Sequence, residues 1–118
     1  MNKIDIFNEK YSFDSRQKES QKILLKYPTR IPIIVEKCKG CSLNDIDKIK
    51  YLVPKDMYIS QFVFVIRKRI QLEPSESLFV MINHQLPRSN ALIGDIYEEQ
   101  HNKDGFLYVT YTSENTFG

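Results

Sequence analysis

An α+β fold built on a four-stranded mixed sheet is predicted by three features of the 118-residue sequence. Runs of β-branched and aromatic residues recur at 31–37, 50–53, 78–83 and 106–112. A longer stretch at helical spacing, 59–70, separates the second run from the third. A highly charged segment with a helical start signal precedes them all.

The elements follow in order. Residues 12–26 read as a helix, with Ser12 or Asp14 as cap and Ile23, Leu24 and Tyr27 gathered on one side near its end. The rest of that segment is charged, so its stability must come from an outside surface. Pro28 stops it, because proline cannot continue the backbone ladder. IPIIVEK (31–37) reads as a strand, with Pro32 near its start, and a second strand runs over 50–53 to Pro54. The two prolines place some of this backbone at a sheet edge, where a missing donor does least harm. In 59–70, Ile59, Phe62, Val63, Ile66 and Ile70 share one helical face, and Arg67, Lys68 and Arg69 close the last turn with the favourable charge. Its start is poorly capped, since Tyr58 stands where Ser, Thr or Asp is usual. A strand at 78–83, a short helix at 91–100 and a last strand at 106–112 complete the chain.

The resulting order, β-β-α-β-α-β behind a helical extension, is that of the ubiquitin-like β-grasp, with helices expected largely on one face of the sheet. Three segments are expected: an N-terminal helical extension (1–27), the β-grasp core (28–112) and a flexible C-terminal tail, SENTFG (113–118), with little to bury.

Composition excludes several functions. No apolar run reaches the roughly 20 residues a membrane helix needs, and the start, MNKIDIFNEK, has neither a secretion signal's apolar core nor a myristoylated glycine at position 2. A cytoplasmic location is expected. Paired catalytic carboxylates, a nucleophile elbow and a phosphate-cradling glycine loop are all missing, and four glycines leave little room to hide the last. An enzyme is not expected, nor is a cofactor. Residues 1–72 carry 15 Lys and Arg against 8 Asp and Glu, whereas 73–118 carry 2 against 7. A basic first half suits an acidic partner. Nucleic acid is not expected, because acids interrupt the basic residues and no binding motif is present. Cys38 and Cys41 form one C-x-x-C unit, too few ligands for zinc. Gly40, Ser42 and Asn44 around it suggest two thiols in a turn rather than a thioredoxin-like site.

YPTRIPIIVEK (27–37), DIDKIKYLVPKDM (45–57), QFVFVIRKRI (61–70) and the ending FG resemble the autophagosomal ubiquitin-like modifiers. This is the family of the GABA-receptor-associated protein, the microtubule-associated light chain and the autophagy-related eight type of yeast. The match runs without gaps from about Phe13 to Gly118. It implies a modifier joined through the carboxylate of Gly118 to phosphatidylethanolamine on autophagosomal membranes. The implied partners are the activating and conjugating enzymes of that pathway and a cysteine protease that processes the modifier and later cuts the lipid bond. Glycine suits this position because, lacking Cβ, it enters a narrow enzyme channel.

The resemblance also implies capture of cargo receptors and adaptors through an aromatic-x-x-aliphatic motif, added as a strand at a sheet edge. Glu19, Ile23, Pro32, Lys50, Leu52 and Phe106 would form the aromatic pocket. Tyr51, Val53, Pro54, Met57, Phe62 and Val65 would form the aliphatic one, roomier where Val65 replaces a larger side chain. Arg30, Lys48 and Arg69, with Lys50, would meet acidic flanks. Taken alone, Ile23, Phe62, Val65 and Phe106 read as ordinary core residues; only the resemblance assigns them to pockets. The alternative is a peptide-binding trafficking or cytoskeletal adaptor of the same fold that is never lipidated.

Overall fold

A computed structural model describes residues 6–113 of the chain. Its elements are α1 (Ile6–Lys10), α2 (Phe13–Lys26), β1 (Arg30–Lys37), β2 (Lys50–Pro54), α3 (Ile59–Arg69), β3 (Phe79–Met81), α4 (Ile93–Gln100) and β4 (Leu107–Thr112). The sheet order is β2-β1-β4-β3, with β1 and β4 parallel at the centre and antiparallel pairs outside them. This is the expected ubiquitin-like β-grasp.

The helices do not lie largely on one face. In β1, residues 31–36 are all buried, which requires cover on both sides of the sheet. Ile31, Ile33 and Val35 join Tyr51, Val53, Phe62, Ile66, Leu107, Val109 and Tyr111 in the main core beneath α3 and α4. On the opposite face Ile34 and Phe106 pack with Phe7 of α1, flanked by Ile23 of α2, Ile49 and Tyr108. The unbroken apolar run of β1 was the signal for two covered faces, since a half-exposed strand would alternate.

The first twelve residues, where no element is expected from sequence, contain α1. Its anchor is Phe7, buried edge-on against Phe106 with ring centroids 5.2 Å apart. The Phe7 N–H donates to the buried Glu36 carboxylate at 3.2 Å. The chain then enters α2, where Ser12 Oγ accepts the Ser15 N–H at 3.1 Å as a helix cap.

At the start of α3 the Gln61 side chain accepts the Tyr58 N–H at 2.9 Å, α4 has no side-chain cap, and each helix also uses the other's entry loop. The Ile59 and Ser60 N–H groups donate to the carbonyls of Ala91 and Ser89; those of Ile93 and Gly94 donate to Met57 and Lys55. Tyr58 therefore needs no Ser or Thr in its place. Leu92 pairs with Tyr58 in a short bridge, so α4 starts at Ile93 rather than at 91. β3 is shorter than the run at 78–83, because Asn83 and His84 turn the chain with positive φ angles of 52° and 63°.

Phe7→Ala is expected to destabilise the chain by about 3 kcal/mol, the usual cost of emptying a buried Phe site. The main core should keep a single cooperative transition. Urea unfolding measures both, and a loss under about 1 kcal/mol would show that α1 is not anchored as described.

Candidate functional site

β2 is an open edge of the sheet, and side-chain alternation along it divides the residues singled out by sequence. Lys50 and Leu52 face α2, while Tyr51 and Val53 face α3 and are the buried pair. The Lys55 N–H donates to Thr29 across the ladder at 3.1 Å. Because donor direction alternates along a strand, the backbone groups of Leu52 point away from β1 to the open side.

The α2 face brings together Glu19 and Ile23 of α2, Pro32 of β1, Lys50 and Leu52 of β2, and Phe106 just before β4. Pro32 stands directly opposite Leu52. Ile23 packs on the cluster that contains Phe106. Phe106 has no exposed surface, so it is a floor here and not a wall. Lys50 Nζ pairs with the Glu19 carboxylate and sits 5.5 Å from the centroid of the Phe7 ring. This ion pair ties α2 to the edge strand above the apolar floor.

The α3 face brings together Tyr51 and Val53 with Phe62, and Met57 and Val65 pack half-buried beside them. The Tyr51 and Phe62 rings meet edge to face at 5.7 Å. Phe62 is again fully buried, and Pro54 is exposed at the end of the strand. Tyr51 has its hydroxyl buried with no hydrogen-bond partner among the described residues. Three exposed cations rim the edge. Arg30 Nη1 donates to the Leu52 carbonyl at 3.4 Å, Lys48 Nζ lies 5.2 Å from the Tyr51 ring centroid, and Arg69 Nη1 meets Asp47 at 3.3 Å. Gly118 lies outside the described residues.

Sequence reasoning missed the group that seats α2 on the sheet. Asp104 is fully buried, and its Oδ2 lies 2.6 Å from Arg16 Nη1 and 2.5 Å from the Tyr108 hydroxyl. Its Oδ1 accepts the Phe106 N–H at 2.9 Å, and its carbonyl accepts from Ser20 Oγ at 2.5 Å. Asn8 Oδ1 accepts from Arg16 Nη1 at 3.0 Å, carrying the network into α1. Burial opposes the Arg16 charge, but Tyr108 and Asp104 outweigh it and raise its pKa. Next to Asp104, Gly105 has φ of +91°, and a Cβ there would overlap Ser20. Arg16 and Asp104 are 88 residues apart, so no spacing rule connects them; the Asp-Gly dipeptide was the one local cue to a turn.

The family model described as "Autophagy protein Atg8 ubiquitin like" matches residues 15–118. The chain belongs to the Atg8 family. Autophagy-related protein 8 of Schizosaccharomyces pombe is 53% identical over 112 residues, covering 95% of this chain and 93% of that one. Autophagy-related protein 8e of Arabidopsis thaliana is 48% identical over 118 residues, 100% and 97% of the two chains. Among solved structures, Trypanosoma brucei ATG8 superposes with a TM-score of 0.87 at 42% identity, covering 96% of this chain and 97% of that one. Plasmodium falciparum Atg8, solved in complex with a Plasmodium falciparum Atg3 peptide, gives the same TM-score at 32% identity, covering 94% and 98%. This Atg8-family chain is thus a ubiquitin-like autophagy protein, and no helix among its described residues is long and apolar enough to cross a membrane.

Tyr51, Tyr97, Tyr108 and Tyr111 all have raised pKa values, with burial as the largest cause in each. Beside Tyr108 the Asp104 carboxylate pushes further in the same direction. A phenol whose folded pKa exceeds its unfolded value of about 10 stabilises the fold fully below that pH and loses its contribution as pH climbs toward the folded value. Stability should therefore hold to about pH 9 and fall above about pH 10. In Tyr108→Phe the fall should be shallower, by up to about 1.4 kcal/mol per pH unit, the most one titrating group supplies. Urea midpoints measured across this range test it; equal slopes in the two proteins would contradict the assignment.

Proposed function

We propose that this protein is a ubiquitin-like modifier that captures aromatic-x-x-aliphatic peptides along β2 and is joined through Gly118 to phosphatidylethanolamine. Its division of labour is an N-terminal helical extension (1–27), a β-grasp core (28–112) and a conjugation tail (113–118). It acts by capture and attachment, not catalysis, in the cytoplasm and, once lipidated, on the autophagosome membrane.

The observation that carries the peptide reading is the placement of two apolar groups on opposite faces of one open edge strand. In an extended peptide, side chains alternate, so residues three apart point to opposite faces. An aromatic residue and an aliphatic one at that spacing, added beside β2, would reach the Ile23–Pro32–Leu52 side and the Tyr51–Val53–Val65 side respectively. The outward-pointing N–H and carbonyl of Leu52 support main-chain pairing there, the carbonyl by giving up its long contact with Arg30 Nη1. Arg30, Lys48 and Arg69 at the rim suit acidic flanks, at a strength that salt would screen. Lys50 would serve the same flanks by exchanging its Glu19 partner. Phe62 and Phe106, being fully buried, act as floors that shift when a ligand side chain enters.

For the lipid step, family membership supports conjugation at Gly118, with activating and conjugating enzymes as partners and a cysteine protease for processing and release. The Atg3 peptide seen on the Plasmodium falciparum relative supports contact with a conjugating enzyme.

Two measurements test the reading. A labelled acidic peptide with the motif should bind, and replacing either anchor by Ala should weaken it at least about tenfold, as expected for anchors worth about 1.4 kcal/mol or more. Leu52→Arg should weaken it comparably while leaving the urea midpoint close to wild type. Equal affinity for the anchor-less peptide would remove the edge as the site. Separately, lipidation with family activating and conjugating enzymes, ATP and phosphatidylethanolamine liposomes should add one lipid to the wild type and none to Gly118→Ala, as read by mass spectrometry. If the wild type stays unmodified where a known relative is modified, the chain is instead a non-lipidated adaptor.

A further inference from the structure

The turn joining β1 to the loop before β2 has no part in peptide capture or lipid attachment, and it holds two free, half-buried thiols. The Cys41 N–H donates to the Cys38 carbonyl at 3.3 Å, closing a four-residue turn. At the third position of that turn Gly40 has φ of +79°, and nothing lies within 4 Å of where its Cβ would sit. The glycine thus serves the backbone angle alone, as such turns require. The ends of a β-turn lie less than about 7 Å apart between Cα atoms, and disulfides span about 4.4–6.8 Å. Both ends are held. The Cys38 N–H donates to the Tyr111 carbonyl at 2.8 Å, and Cys41 packs against the main core.

The two sulfurs have unlike surroundings. Cys41 Sγ accepts the Leu43 N–H at 3.4 Å and lies 3.8 Å from Ser113 Oγ. Burial opposes its thiolate, but these contacts and Thr112 outweigh burial and lower its pKa. Cys38 is raised, chiefly by burial, with only Thr110 in opposition. Metal binding does not fit, since two sulfurs make half of a zinc site and no cluster of three potential ligands occurs among the described residues.

We propose that Cys38 and Cys41 form a reversible dithiol–disulfide site oxidised by small disulfides of the glutathione class, with Cys41 attacking and Cys38 resolving. The Cys41 thiolate attacks one sulfur of oxidised glutathione, whose S–S bond breaks, and one glutathione leaves as a thiolate that takes up a proton. Cys38, giving up its proton, then attacks Cys41 Sγ and expels the second glutathione, which is protonated in turn. The protein loses two electrons and two protons, and one glutathione disulfide becomes two thiols.

The test treats the full chain with oxidised glutathione at neutral pH, quenches with acid, alkylates and reads intact mass. The wild type should become a monomer two hydrogens lighter that takes up no alkylating agent and is restored by dithiothreitol. Cys38→Ser should stop at a mixed disulfide with glutathione on Cys41. Cys41→Ser should react at least about tenfold more slowly than Cys38→Ser, because its remaining thiol is less ionised. Persistent alkylation of both cysteines, glutathione retained on each, disulfide-linked dimers, or equal rates in the two variants would each overturn the proposal.

Discussion

Burial of β1 on both faces is the constraint from which the rest of the structure follows. Six consecutive residues, 31–36, have almost no access to water. A parallel pair at the centre of a sheet tolerates this only if both faces are covered. The α3 and α4 layer supplies one cover with the larger apolar cluster. The other cover comes from α1 and α2, whose sequences are mostly polar and contribute few apolar groups. That second layer is accordingly held by a mixture of one deep aromatic, Phe7, and a polar network centred on Asp104. Because Asp104 is fully buried, every one of its partners counts: removing one would leave a charge or a donor without compensation in a poor solvent for either.

The same constraint shapes the edge. With β1 and β4 inside, β2 and β3 are the two edges; β2 lies between the two helix layers, and its outer backbone meets the Arg30 guanidinium at the Leu52 carbonyl. On one side of β2 lies the α2 layer, and on the other the α3 layer. Phe106 and Phe62, on those two sides, are core residues of the two layers. The pockets proposed for a peptide would thus share their atoms with the core. This is why Ile23, Val65 and the two phenylalanines look like plain core when read by spacing.

Much of the fold was legible in the sequence because it is written in local patterns. The 3.6-residue repeat of Phe62, Ile66 and Ile70, the β-branched run of β1 and the proline after α2 each act within a few residues. What escaped was set by distance. Arg16 and Asp104 reveal nothing until the chain brings them together. Phe7, a single aromatic in a charged segment, carries no periodicity. The starts of α3 and α4 lack a Ser, Thr or Asp cap, which looks like a flaw in each helix by itself until their reciprocal hydrogen bonds are seen. The edge position of β2 was half-legible. Pro54 signalled it correctly, whereas Pro32 lies on β1, an interior strand, near its beginning where a missing donor is tolerated. The proposed site residues rest on family resemblance, since their chemistry is that of ordinary apolar and basic side chains.

An open strand invites unwanted pairing with other copies of the chain, and short length together with surrounding cations is a common defence. β2 has five residues, and Arg30, Lys48, Lys50 and Arg69 surround it. Two such edges brought together would place like charges side by side, which opposes self-association. A peptide carrying acidic residues reverses the sign of that term, so the same cations that exclude a second copy would favour such a peptide. Glu19 fits this account: in the free chain it partly neutralises Lys50 and keeps it over the apolar floor. An incoming carboxylate would have to replace Glu19, so the net gain at Lys50 is an exchange of partners and correspondingly small. For the peptides proposed above, discrimination should therefore lie mainly in how the two anchor side chains pack on either side of β2, with charge governing approach and exclusion.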